Sequence, residues 1–497
     1  MMSLNQPTEI ELKLGVAGPD VGDLAASPVW KDQRPRALTS IYFDTEDQRL
    51  RRAGLTLRLR AGIQTLKVIA AEASGLFERA EWEHPVQGTR PDLSLLAHTP
   101  LAAVDLGTNL LQPVFLVQVE RRTALIGPTS DCQIEMALDI GRVEAGGRTQ
   151  DFAELELERI EGPTRALFDL ALSMAAETRL LASSQSKADR GFALLANEPV
   201  LPLKAESHLD LSGLTVGQAL SAMVREGLGQ IVHNGALVLQ NREVEALHQI
   251  RVALRRLRAT LGLFKAVAAD QAFIDMRDRL RSLSQTMGRA RDLDVLIGRI
   301  ETSDQPSARL LEALILDRGQ AYDEVNRVLA SHAYGQILLT VMAWAETGDW
   351  RQSRWSQASL RDQPVLDFAD PALERLRRKL KTDGKDLTNM PAEAQHRVRI
   401  RAKNFRYGME LFASLYPNDP ARRRHLIDAV KQVQDRLGLI NDCAVAEALL
   451  RAHATDPAAF DAGHALASLY VGQADAALKA EQALRLALDL PRFWSKP

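Results

Sequence analysis

Cysteine is nearly absent. Two thiols, Cys132 and Cys443, stand in different halves of a 497-residue chain. Thiols that sparse do not make a disulfide framework, so a reducing compartment is expected. Long apolar runs are also missing, and no stretch approaches the ~20 residues that cross a bilayer. Met1 to Leu14 lacks the apolar core of a secretory signal, and the expected location is the cytoplasm. Nor is there a charge excess of one sign. The net charge is −2, which gives no global field to attract nucleic acid. Aromatics are 5% of residues, leaving few rings for base stacking. What remains is ordinary for a globular chain: 46% hydrophobic and 25% charged residues. The length is enough for about two to four domains.

The distribution of charge is more informative than its sum. Residues 1 to about 195 read mostly as β, with candidate strands at 9–14, 38–43, 55–61, 64–70, 77–84, 113–121, 132–138 and 153–160. Gly, Pro and Asp punctuate them, and 163–182 reads as a helix. About eight antiparallel strands suit a closed or nearly closed barrel whose interior lines a cavity. In Glu9-Ile10-Glu11-Leu12-Lys13, alternation places the three charged side chains on one face and the apolar pair on the other. Adjacent carboxylates on an interior face repel unless a cation sits between them. Arg58 and Arg60 share a face, with Lys67 on the next strand. Arg79, Glu81 and Glu83 share another, and Glu154, Glu156 and Glu158 repeat the carboxylate pattern. Arg121 and Arg122 straddle both faces, so one of them points inward. Solvent-facing strands would explain each segment singly. They would not explain the concentration of like charges, which destabilises paired strands. Acidic patches suit a hard cation and arginine forks suit phosphate, so a triphosphate–metal complex matches the pattern.

These residues resemble the CYTH domain, also called the triphosphate tunnel metalloenzymes. The resemblance rests on Glu9-x-Glu11-x-Lys13, Tyr42-Phe43-Asp44-Thr45, Leu57-Arg58-Leu59-Arg60, Leu66-Lys67, Leu138-Asp139-Ile140-Gly141, Glu154-Leu-Glu156-Leu-Glu158 and Ser186-Lys187-x-x-Arg190-Gly191, in that order over residues 1–200. It implies a tunnel-shaped antiparallel barrel that binds Mg²⁺ or Mn²⁺ through glutamates and inorganic triphosphate through Arg and Lys. By position, Glu9, Glu11, Glu154 and Glu156 become metal ligands or water-orienting groups. Arg58, Arg60, Lys67, Arg122, Lys187 and Arg190 become phosphate binders, and Lys13 joins Glu9 and Glu11 in the catalytic set. Two registers stay open: Glu158 against its neighbouring glutamates, and Arg121 against Arg122. The implied chemistry is metal-assisted hydrolysis of a phosphoanhydride.

The composition changes at Asn197-Glu198-Pro199-Val200-Leu201-Pro202, and 201–211 reads as a linker. From 212 to 490 the pattern is helical, with an internal repeat. His248, Arg251, Arg255 and Arg258 recur as His396, Arg399, Lys403 and Arg406, each 148 residues on. Gly288-Arg289-Ala290-Arg291-Asp292 recurs as Gly438-Leu439-Ile440-Asn441-Asp442, 150 residues on. Halves of about 212–345 and 370–490 follow, with a hinge between them. At 100° per residue, each basic set falls within an arc of about 80° beside an apolar arc. One such run is usually a solvated face; two with identical spacing suggest a polyanion groove. A lone histidine in each copy, without thiol or carboxylate at ligand spacing, argues against a metal there.

This part resembles the CHAD domain, the conserved histidine α-helical domain, through His248-Gln-Ile-Arg251-Val-Ala-Leu-Arg255-Arg256-Leu-Arg258, Arg291-Asp292-Leu-Asp294-Val295 and Lys403-Asn-Phe-Arg406-Tyr407. The resemblance implies two four-helix bundles around a basic channel for inorganic polyphosphate. Asn441 stands where the first copy has Arg291. The expectation is therefore a multidomain α+β chain, an eight-stranded tunnel followed by an all-α domain. It would act as an inorganic triphosphatase that binds polyphosphate, in the cytoplasm and in association with polyphosphate granules. The alternatives are a nucleoside or thiamine triphosphatase, an adenylate cyclase of the CYTH type, or a non-catalytic polyphosphate scaffold. Membrane and nucleic acid are not expected partners.

Overall fold

The computed structural model describes residues 8–30, 33–69, 75–107, 110–129, 131–183, 185–205, 209–303, 307–352, 356–451 and 475–494. The chain divides into two compact units. One comprises residues 1–202 with 228–233 and 330–347; the other holds the remainder.

Among the described residues the first unit is built on nine strands: β1 Thr8–Val16, β2 Arg36–Asp44, β3 Leu55–Arg60, β4 Ile63–Val68, β5 Leu76–Pro85, β6 Gln112–Thr129, β7 Cys132–Ala145, β8 Arg148–Glu161 and β9 Leu180–Ala182. They form one sheet in the order β5-β4-β3-β2-β6-β7-β8-β1-β9, entirely antiparallel. The first half of β1 also pairs with β5, Glu11 opposite Phe77, and this closes an eight-stranded barrel. The second half of β1 pairs with the short β9, which lies outside the closed ring.

The barrel has its apolar side outward, as the alternation in β1, β3 and β8 requires. Leu12, Leu14, Leu57, Leu155 and Leu157 are fully buried on the outer face. Phe43, Leu50, Leu55, Leu59, Leu66, Leu96 and Leu101 join Leu57 in one cluster, so the loops between strands cover β3 and β4. Burying a leucine contributes roughly 1.5–3 kcal/mol, which leaves the charged faces to turn inward. Of the helices α1 Gly18–Ala25, α2 Arg49–Arg52, α3 Arg165–Met174 and α4 Lys187–Ala196, two bear on the site. Asp44 accepts the backbone N–H groups of Leu50 at 2.9 Å and Arg51 at 3.0 Å, so the Tyr-Phe-Asp-Thr motif caps α2. On α4, Phe192 packs with Tyr42, Phe115, Val117, Val143 and Phe152 and closes one end of the barrel with an apolar plug. A Cβ on Gly191 would lie 2.3 Å from the Phe115 ring, which is why that motif ends in glycine.

The other helices are α5 Val216–Asn241, α6 Val244–Leu263, α7 Lys265–Ala268, α8 Gln271–Thr286, α9 Gly288–Glu301, α10 Ala308–Leu329, α11 His332–Thr347, α12 Ser356–Asp362, α13 Val365–Asp383, α14 Ala392–Leu411, α15 Pro420–Arg451 and α16 Ala476–Asp489. Within the helical unit α6 packs on α8, α9 and α14, while α14 packs on α13 and α15, and α15 on α16. The two copies of the repeat thus lie on α6 and α14, in contact. On α6, Leu247, Ile250, Leu254, Leu257 and Leu261 alternate three- and four-residue steps and are all buried. The basic residues take the adjoining stripe. α11 belongs to the first unit, where it packs on α3 and β9.

Candidate functional site

The barrel lumen encloses about 620 Å³, within the roughly 300–1,000 Å³ typical of ligand sites. Glu9, Glu11 and Lys13 line it from β1, Arg58 and Arg60 from β3, and Lys67 from β4. Arg79 and Glu81 line it from β5, Arg121 from β6, Glu156 and Glu158 from β8, and Lys187 from α4. The register puts Glu11 opposite Glu158 and Lys13 opposite Glu156.

Most of these charges are paired across strands. Lys67 Nζ lies 2.9 Å from Glu9 and 2.8 Å from Glu81. Arg79 reaches Glu9 at 3.1 Å and also pairs with Glu11. Lys13 lies 3.3 Å from Glu11 and hydrogen-bonds Glu156. Arg121 donates to both oxygens of Asp139, at 2.7 and 2.6 Å, and to Glu156 at 2.6 Å. Burial alone would lower the Lys13 pKa, but Glu11 and Glu156 outweigh it and hold it above the usual lysine value. Burial likewise pushes the Glu156 carboxyl up, and Lys13, Lys187 and Arg121 overcome this to hold it well below its ordinary range. Glu158 is the exception. Burial, then Glu9, Glu11 and Glu135, push it up to about 7. Arg60 has no carboxylate partner among the described residues, and burial together with Arg58 and Arg121 lowers its pKa. Arg58 donates to Thr65 at 3.1 Å and meets Glu83 only at 3.8 Å.

Asp139, Glu154 and Glu156 can each offer a carboxylate oxygen, all within 4.8 Å of one another. Glu154 Oε2 is buried with no hydrogen-bond partner. An all-oxygen set with an orphaned buried oxygen fits a hard divalent cation.

The placement of the expected residues differs in four respects. Arg122 lies on the opposite strand face, paired with Glu120 at 2.7 Å, and Arg121 takes the lumen position in its place. One residue of shift changes the face, so neighbouring arginines cannot both enter. Glu9 and Glu11 do not join the carboxylate trio; they lie with Lys67 and Arg79. Glu154 is fully buried behind Lys187. Arg190 stands 3.8 Å from Glu154 and over the Phe152 ring, outside the lumen lining. Sequence reasoning did not include Arg79, Glu81 and Asp139 in the site. Arg79 and Glu81 carry the same alternation as β1, and Asp139 sits directly opposite both Arg121 and Glu154 in register.

In the helical unit, His248, Arg255 and Arg406 line a second cavity of about 740 Å³ with Lys204, Arg256, Arg423, Arg424 and Lys431. Arg251, Arg255, Arg399 and Arg406 each have a buried Nε without a hydrogen-bond partner. Burial, with Arg399 and Arg255 next in weight, lowers Lys403 to about 7. Arg258 and His396 are exposed, so the copies are not equivalent in depth. Burial, then Arg291, lowers His248 below the usual histidine value. The Asn441 side chain lies outside the described residues.

A closed barrel with a mixed-charge lumen, followed by a helical unit with paired basic stripes, defines a two-domain class. Residues 7–192 match the CYTH domain and residues 222–451 the CHAD domain, and the chain belongs to the proteins that carry these two domains in this order. The chain is 31% identical over 195 residues to an inorganic triphosphatase of Haemophilus influenzae, a match spanning 37% of this chain and about half, 54%, of that relative. It is 25% identical over 436 residues to an uncharacterized protein of Mycobacterium tuberculosis, covering 80% of this chain and 81% of the other. The CHAD domain of the plant Ricinus communis, in its crystal structure, superposes with a TM-score of 0.50 at 29% identity, covering 59% of this chain and 98% of that one.

Proposed function

We infer that the barrel hydrolyses inorganic triphosphate with Mg²⁺ or Mn²⁺, and that the helical unit binds inorganic polyphosphate. One observation carries the first part. Glu156, one of three converging carboxylates fit for a hard cation, lines the same lumen as the β3 arginines Arg58 and Arg60, which have weak or no acidic partners, while Asp139 and Glu154 lie buried behind Lys187. A pure anion binder gains nothing from buried carboxylates. The resemblance to a triphosphatase over the barrel domain supports the same substrate class.

Asp139, Glu154 and Glu156 would hold the metal, which when bound acts as a Lewis acid on phosphate oxygens. Arg58 and Arg60 bind the phosphates through forked N–H donors and stabilise charge on the departing pyrophosphate, while Arg121 holds Asp139 and Glu156 in place. Lys67 and Arg79 hold Glu9 and Glu11 in place. A lumen carboxylate orients the attacking water and takes its proton as the new P–O bond forms and the P–O–P bridge breaks. The apolar plug under α4 keeps bulk water from that end of the lumen.

The second part rests on the two stripes. Four arginines with unpartnered, buried Nε groups are costly without an anion to meet them. A chain of phosphates supplies many acceptors at short spacing.

The test compares phosphate release from inorganic triphosphate, ATP and thiamine triphosphate, with detection of cyclic AMP from ATP. Turnover of inorganic triphosphate well above the others supports the proposal. Preference for a nucleotide, or cyclic AMP production, overturns the substrate assignment. Retention of the full chain on immobilised polyphosphate at physiological salt tests the helical unit, and lack of retention overturns that part.

A further inference from the structure

Lys187 occupies the point in the carboxylate trio where a cation is needed. Its Nζ lies 2.7 Å from Asp139 Oδ2 and 2.9 Å from Glu156 Oε1, and it donates to Glu154 as well. These are the three carboxylates whose oxygens converge within 4.8 Å. An ammonium has three protons, one for each. With Arg121 and Lys13, it compensates a buried cluster that would otherwise be strongly unfavourable. The backbone beneath Lys187 is fixed. It is the first residue of α4, after a Ser186–Asp189 capping box in which each side chain meets the other's backbone. The side chain is a flexible four-carbon stem, and it also lines the open lumen.

The geometry points to Lys187 as a tethered place-holder for the divalent cation. The ion enters the trio, the ammonium leaves it for the lumen, and there it becomes a phosphate ligand. A divalent ion outcompetes a single charge among three carboxylates, and the expelled ammonium adds a donor on the substrate side. Metal and triphosphate therefore bind with positive coupling, each raising the affinity for the other by the same factor. This deepens the triphosphate reading of the tunnel and rests on it.

The test is Mn²⁺ binding to the full chain, followed by electron paramagnetic resonance with no phosphate present. Lys187→Met removes the competitor and is expected to bind Mn²⁺ about tenfold more tightly than the wild type. Lys187→Arg keeps a tethered cation and stays at or below wild-type affinity. Equal or weaker binding by Lys187→Met overturns the inference. A wild-type measurement guards against a misfolded variant. In ¹⁵N-lysine-labelled protein, Mg²⁺ is expected to move the Lys187 ammonium resonance, identified by its loss in Lys187→Arg. A resonance unmoved at saturating Mg²⁺ overturns the inference. If the wild type binds no metal, with or without triphosphate, the tunnel reading itself fails. If it binds metal and releases phosphate but Lys187→Met shows no tightening, only the place-holder fails.

Discussion

The barrel lumen and the face of α6 and α14 both collect cations, and they compensate them to different degrees. In the lumen Lys13, Lys67, Arg79, Arg121 and Lys187 each meet at least one carboxylate within 3.3 Å. On the helical face Arg406 meets Glu410 at 3.3 Å, but Arg399 meets Asp442 only at 3.9 Å, and Arg251 donates to the Ser284 carbonyl at 3.2 Å rather than to an acid. A site of two signs can hold a metal and an anion together, and can exchange internal pairs for ligand contacts. A predominantly basic site, with Glu410 and Asp435 the acids of its cavity lining, favours an anion, and its clustered cations repel one another until one binds. On the proposed function, the difference would separate chemistry from retention within one chain.

The comparison breaks most sharply at Arg58 and Arg60. Replacing both with alanine removes the least-compensated cations of the lumen. Triphosphate turnover is expected to fall by about 10²-fold or more, read as kcat/KM. A loss under about fivefold would mean that the paired cations do the binding. Next in size is the helical face. Arg255→Ala with Arg399→Ala is expected to weaken polyphosphate binding and to lower the slope of log affinity against log salt by about 2, one unit per lost cation. An unchanged slope would show that the stripes do not touch the polyanion.

The predominantly basic face also makes a pH prediction. Lys403 on α14 faces Arg399 and Arg406 on its own helix, Arg255 on α6 and Asp442 on α15, with Asp292 of α9 beside Arg399. With its pKa lowered to about 7, Lys403 gains a charge as pH falls from 8 to 6, so polyphosphate affinity rises over that interval. Lys403→Arg keeps the charge throughout and flattens the profile. The linkage to folding has the opposite slope. The folded pKa is below the unfolded value of 10.5, so the native state binds fewer protons between about 7 and 10.5, and stability rises with pH across that window. Titrating denaturation midpoints of wild type and Lys403→Met checks the sign.

The smallest expected effect is at the register. Arg122→Ala, on the outer face, should change turnover less than about twofold, while Arg121→Ala should cost at least about tenfold. The reverse result would mean that β6 is shifted by one residue.

Strands β1, β3 and β8 were legible because apolar residues, mostly leucine, alternate with mostly charged ones, as in Leu55-Thr56-Leu57-Arg58-Leu59-Arg60. The helical stripes were legible because duplication repeated four basic positions at one spacing. Pairing across strands was not legible. Asp139 joins the carboxylate trio only because β7 sets it opposite Glu154 and Arg121, neighbours 15 and 18 residues away along the chain. Arg121 and Arg122 looked alike because adjacent residues differ only in face, and the pairing of β6 with β2 and β7 decides between them. Asp44 was quoted within a motif in which its own carboxylate caps α2, while Tyr42 lines the lumen. The unequal depth of His248 and His396 depends on packing around each helix, which spacing does not encode.

The most direct measurement is phosphate release from inorganic triphosphate by the full chain, with and without Mg²⁺ or Mn²⁺, for wild type and Glu11→Gln. Glu11 is buried between Arg79 and Lys13, and losing its charge unbalances the lumen without changing its shape. The account predicts metal-dependent release by the wild type and a fall of about 10²-fold or more in the variant. Release that needs no metal, or that survives Glu11→Gln at the wild-type rate, would contradict it.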